Sequence, residues 1–91
     1  MSDALRHRVV VHGHVQGVFF RDSTRREARR RGVAGWVRNR PDGAVEAVFE
    51  GDPAAVSEMV AFCERGPRGA DVVDVETSEE PVEGLSGFEV R

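Results

Sequence analysis

Lysine is missing from this 91-residue chain, so arginine carries all of its permanent positive charge. A coding bias toward arginine accounts for the number of arginines as readily as a functional need does. A single cysteine, Cys63, excludes an internal disulfide and leaves any metal site to other ligands. Its expected place is the buried side of a helix. No apolar run reaches the ~20 residues that a membrane-spanning helix requires. The opening M-S-D-A-L-R-H-R has no apolar segment of the signal-peptide kind, and a cytoplasmic location is the expectation. No G-K-[ST] follows the glycines near the N-terminus, which excludes the P-loop. No C-x-x-C is present, which sets aside a metal-carrier domain.

What is present fits one small domain over residues 1–91, with an ordered core from about residue 6. A chain of this size buries only about 60–65 % of its unfolded surface, so the core must be thin: one sheet with helices on one side. Charge is split along the chain. Up to Arg40 there are ten arginines against Asp3, Asp22 and Glu27, and beyond it three arginines against thirteen acids. The basic half is suited to attract an anion.

Arg8-Val9-Val10-Val11-His12 is β-branched and reads as a strand covered on at least one face. Gly13 to Phe20 reads as a loop. Asp22 to Arg31 reads as a helix stopped by Gly32, with a poor apolar face of Thr24 and Ala28 and with Arg31 at the next inward position. Val33 to Arg40 and Ala44 to Glu50 read as strands joined by the turn Arg40-Pro41-Asp42-Gly43. In the second strand Val45, Ala47 and Phe49 share one face, and Glu46 and Glu50 the other. Asp52 is a good N-cap and Pro53 a good first residue for a helix whose stripe is Val56, Met59, Val60 and Cys63. Gly66 and Pro67 end it. Val72, Val73 and Val75 form a further strand. Glu79 to Gly87 reads as an acidic loop, and Phe88-Glu89-Val90 as a short edge strand. The order βαββαβ predicts an α+β, ferredoxin-like sandwich. Two helices lie on one face of a mixed four- to five-stranded sheet, with the first and third strands side by side in the middle.

Gly13 to Arg21, G-H-V-Q-G-V-F-F-R, holds two glycines and an arginine and no acid. It runs from the end of a central strand to the start of a helix, where unpaired N–H groups and the helix dipole favour anions. Glycines let backbone approach a ligand, and successive N–H groups make an anion-binding nest. An arginine at the exit adds a planar fork of donors. A tight structural connection with a surface arginine is the competing reading.

Gly13-His14-Val15-Gln16-Gly17-Val18-Phe19-Phe20-Arg21 and Gly35-Trp36-Val37-Arg38-Asn39 together resemble the acylphosphatase family, with its G-x-V-Q-G-V-x-[FY]-R loop and its downstream G-W-V-x-N strand. Ala28 and Gly32 in the first helix, and Gly66-Pro67 after the second, match as well. The resemblance spans nearly the whole chain and implies the same fold. It implies hydrolysis of acyl phosphates to a carboxylate and inorganic phosphate, without metal or other cofactor. Arg21 and the backbone N–H groups of Val15, Gln16, Gly17, Val18, Phe19 and Phe20 would bind the phosphoryl group, and Asn39 would position the water. On local grounds alone, Asn39 before R-P-D-G is a turn residue. Trp36 is expected to pack rather than to do chemistry. Phe19 and Phe20 are expected to sit in the core or anchor the loop, with contact to the substrate's acyl group as the lesser alternative, and Gln16 to orient the loop. Two departures stand out. Arg31 replaces an aliphatic residue, and the family's common terminal tyrosine has no counterpart after Val90-Arg91, so the last strand is expected to be weakly held.

His7, His12 and His14 lack the partners a zinc site needs, and no metal is expected. The competing function is a non-catalytic anion- or nucleic-acid-binding module of the same fold using Arg25, Arg26, Arg29 and Arg30. Nucleic-acid binding is not expected, because the central strands lack the aromatic platform that such a sheet uses. The expected partner is a small acyl phosphate, and the expected state a monomer.

Overall fold

Valines 9 and 11 face the helices from the middle of the sheet and are fully buried there. Their strand, β1, spans Leu5–His14. In the computed structural model, which describes residues 3–91, it is followed by α1 (Phe20–Arg30), β2 (Ala34–Asn39), β3 (Val45–Gly51), α2 (Pro53–Arg65), β4 (Asp71–Glu80) and β5 (Phe88–Val90). Met1 and Ser2, part of the expected domain, lie outside the described residues. The sheet order is β4-β1-β3-β2-β5. β1 and β3 pair antiparallel at its centre, as expected, and β5 adds in parallel to β2.

This topology positions the functional end. β1 and β2 both run antiparallel to β3, so they are parallel to each other. Their C-terminal ends therefore emerge at one end of the sheet. The β1–α1 loop, Asn39 and the β2–β3 turn meet there.

α2 is the element whose sequence signals are strongest. Asp52 accepts a hydrogen bond from the Ala55 N–H, Pro53 is its first residue, and Val56, Met59 and Cys63 are fully buried. Burial raises the Cys63 thiol pKa far above the ordinary range, which leaves it inert. α1 buries only Phe20, Thr24 and Ala28. Thr24 spends its hydroxyl on the Phe20 carbonyl. Arg31 is half-buried and pairs with Glu27 and with Glu58 of α2, an ion-pair bridge between the helices that leaves its buried Nε without a hydrogen bond.

Several boundaries differ from the sequence expectation. β1 begins at Leu5 and runs through Gly13 to His14 by way of a bulge between His12 and Gly13. Gly13 has φ +132°, and a Cβ there would run into the Asp71 carbonyl, so only glycine lets β4 stay paired past the bulge. α1 begins two residues early, at Phe20, because that ring is a core anchor packed edge-on against Phe62. β4 extends to Glu80, into the expected loop, because Arg6 of β1 pairs with Glu80. β5 is firmly seated. Phe88 stacks on Phe49 at 5.8 Å, Arg29 donates to the Phe88 carbonyl, and the Arg91 N–H donates to Val37.

The sheet face away from the helices is a lattice of charge. Arg8 and Arg38 both donate to Glu46, at 2.5 and 2.7 Å, and Arg6 reaches Glu50, Glu80 and Glu83. Trp36 lies on this face with the Arg38 and Arg91 guanidiniums over its ring, not in the core. Its indole packs against these cations.

Candidate active site

The β1–α1 loop shrinks to residues 15–19 once β1 and α1 have taken their share. Val15 is buried and Val18 packs on the core, which fixes both sides of the loop. Gly17, at φ +76° with open space where a Cβ would stand, lets the chain reverse between them. Among the described residues, no backbone N–H from Val15 to Phe20 finds a hydrogen-bond acceptor within the protein. α1 starts with no side-chain cap on its first turn. The result is a row of unspent donors at the positive end of a helix, the arrangement expected for anion binding.

Arg21 is the second residue of α1 and is exposed. It makes no ion pair among the described residues, whereas its neighbours do: Arg25 and Arg26 share Asp22, and Arg30 holds Glu27. A cation in the first turn of a helix has the wrong sign for the dipole. An unpaired arginine there makes physical sense when an anion sits between it and the helix end.

Gln16 ties the loop to the rest of the site. Its side-chain amide donates to the Arg40 and Ala44 carbonyls, at 2.8 and 2.9 Å. Those carbonyls belong to the β2–β3 turn, which is closed by Arg40 N–H to Ala44 and Gly43 N–H to Arg40. Asp42 accepts from the Ala44 N–H and is held below the usual carboxylate range by that bond and by Arg40. Asn39 ends β2 one residue before the carbonyl that Gln16 grips, opposite Val45. It is half-buried, and its amide is not engaged by another described residue.

The residues singled out in the sequence thus gather at one end, with different fates. Val15 to Phe20 contribute backbone. Phe20 belongs to the core, at 2 % exposure. Phe19 neither packs nor anchors: it is 81 % exposed and holds φ +60°, the only positive φ outside glycine among the described residues. That conformation costs a phenylalanine on the order of 1–3 kcal/mol. His14 is exposed at the loop's edge, and His12 faces Glu76 at 2.6 Å on the open side of the sheet. Sequence reasoning missed the hairpin carbonyls as the loop's anchor. A glutamine inside a donor-rich loop was the available signal.

Open N–H donors beside an unpaired arginine thus stand at one end of a ferredoxin-like α+β sandwich. The acylphosphatase family model matches residues 7–90, and the chain belongs to that family. It is 63 % identical over 87 residues to an acylphosphatase of Rubrobacter xylanophilus, covering 94 % of this chain and 79 % of that one. It is 56 % identical over 90 residues to an acylphosphatase of Gloeobacter violaceus, covering 99 % and 97 %. Among solved structures, an acylphosphatase from Bacillus subtilis superposes with a TM-score of 0.91 at 39 % identity, covering 96 % of this chain and 98 % of that one.

Proposed function

We propose that in this acylphosphatase residues 15–21 hold the phosphoryl group and Asn39 places the water. The observation that carries this is the row of unspent N–H groups leading to an unpaired arginine in the first turn of α1. Phosphoryl transfer asks for positioning and charge stabilisation more than for covalent chemistry. The loop donors and Arg21 bind the phosphoryl oxygens and take up charge as the transition state forms. Asn39 orients a water in line with the phosphorus–acyl oxygen bond. The water oxygen bonds to phosphorus, and the acyl oxygen leaves with the bonding electrons as a carboxylate. The water proton passes to a phosphoryl oxygen. A carboxylate is a good leaving group, so no general acid is needed.

Every group in this reading comes from one chain, so a monomer suffices. The buried free thiol of Cys63 suits a reducing, cytoplasmic setting. Among the described residues no helix is long and apolar enough to cross a membrane. The nucleic-acid alternative is not favoured. Arg25, Arg26 and Arg30 are spent on acids of their own helix, Arg29 on the Phe88 carbonyl, and the open sheet face on its own ion pairs.

The direct test is hydrolysis of benzoyl phosphate followed by ultraviolet absorbance, in the presence of a chelator. Turnover is expected; a folded protein that leaves benzoyl phosphate intact would refute the assignment.

Gln16 is a positioning residue in this scheme. Gln16→Ala removes two hydrogen bonds worth about 1 kcal/mol each, so kcat/KM should drop by up to roughly thirtyfold. Gln16→Glu should be worse, because a carboxylate would face two carbonyls and stand near the bound phosphate. A Gln16→Ala protein with wild-type kcat/KM would show that the loop holds its shape without this anchor.

A further inference from the structure

Nothing so far accounts for Phe19. The loop buries the side chain before it, in part, and the one after it completely, yet turns this ring out to 81 % exposure. It also holds the residue at φ +60°, a conformation in which most helix entries would place glycine or asparagine. Burial of the ring does not offset that strain, and the hydrogen bond that Phe19 makes is the first helical one, its carbonyl accepting from the Ser23 N–H at 3.0 Å. Phe19 is the N-cap of α1, so its own N–H belongs to the donor row and its exposed ring projects to solvent from the exit of the loop.

In-line displacement says which part of the substrate comes here. The attacking water and the leaving oxygen lie on opposite sides of phosphorus. Gln16 marks the loop end that faces the hairpin and Asn39. The acyl group therefore projects away from Asn39, toward the loop's exit and solvent, where Phe19 stands. We infer that Phe19 is the acyl-group contact and gives this enzyme a preference for acyl phosphates with an apolar, above all aromatic, acyl group. The inference rests on the acyl phosphate reading above. An acyl chain seated on the ring buries apolar surface from both partners, and an aromatic acyl group adds the ring–ring interaction. A short acyl group such as acetyl gains little from either.

The test compares kcat/KM for benzoyl phosphate and acetyl phosphate in wild type, Phe19→Ala, Phe19→Gly and Phe19→Leu, with inorganic phosphate as inhibitor. Phe19→Gly frees the backbone of its strain and keeps the loop's conformation accessible, so the variant is expected to fold. The benzoyl-to-acetyl ratio should fall about fivefold to tenfold in the alanine and glycine variants, the scale of one aromatic contact. Leucine should restore part of it, and phosphate inhibition should not change. An unchanged ratio overturns the inference and leaves the ring free to contact another molecule. Equal losses on both substrates with weaker phosphate inhibition also overturn it, by showing that Phe19 shapes the loop. A wild type that hydrolyses neither substrate defeats the acyl phosphate reading itself, and this inference with it.

Discussion

Arg21→Ala should lose activity a hundredfold or more and at the same time become slightly more stable. The first effect follows from removing preorganised positive charge from the transition state, about 3–4 kcal/mol for a donor of this kind. The second follows from the helix dipole. A cation in the first turn of α1 is repelled by the N–H groups around it, and relief is worth about 0.3–1 kcal/mol. Nothing is lost in return, because Arg21 makes no ion pair among the described residues. Inorganic phosphate should raise the melting temperature of the wild type and not that of the variant, since only a ligand that binds the native state stabilises it. Asn39→Ala should lose rate by the same order but still respond to phosphate, because its task is the water. Measuring kcat, phosphate inhibition and Tm on the three proteins separates the roles. An Arg21→Ala protein that keeps near-full rate, or one that still gains stability from phosphate, would remove Arg21 from the site.

The fold was legible where local chemistry and burial agree. Asp52, Pro53 and the stripe from Val56 to Cys63 dictate α2 almost alone, and the alternation of Val45, Ala47 and Phe49 sets the face of β3. The boundaries of β1 and α1 were less legible because long-range contacts move them. Gly13 stays in the strand only through the close approach of Asp71, and Phe20 joins the helix only because Phe62 waits for it. The site was legible as a motif, since G-x-V-Q-G-V and the exit arginine are contiguous. Its assembly was not. That Gln16 would spend its amide on the Arg40 and Ala44 carbonyls depends on β1 and β2 being parallel, a property of the whole sheet. The partners of Trp36 were not legible either: the side of β2 it occupies is fixed by Val37 facing the helices, so its indole packs against arginines on the open face, one of them from beyond β5.

Glu50→Ala should be the most damaging single change to stability away from the active site. Glu50 is 4 % exposed, yet charged. Its carboxylate accepts from the N–H groups of Glu83, Gly84 and Leu85 and pairs with Arg6, itself 5 % exposed. Truncation orphans three backbone donors and leaves a buried guanidinium with Glu80 and Glu83, which are more exposed. Breaking a buried pair in this way costs about 3–5 kcal/mol. That is a large share of the 5–15 kcal/mol, roughly, that holds a domain together. Glu50→Gln keeps one carbonyl acceptor and should lose less. The pH dependence follows from the same geometry. Burial alone would raise the Glu50 carboxyl, but the loop N–H groups and Arg6 outweigh it, and the group ends below the usual carboxylate range. Glu46, buried between Arg38 and Arg8, is lowered for the same reason. A depressed carboxylate contributes stability that is complete above its unfolded pKa, about 4.3, and is lost as pH falls through the folded value. The stability gap between wild type and Glu50→Gln should therefore be widest at neutral pH and should narrow below pH ~4 as the wild-type carboxylate takes up its proton. Urea denaturation at a series of pH values measures it, and a gap that widens toward acid would overturn this account. Glu50 lies near the end of β3 away from the Asn39–Val45 pair, so the folded fraction of either variant should keep wild-type turnover per molecule. Its stabilising work and the chemistry occupy opposite ends of the same strand.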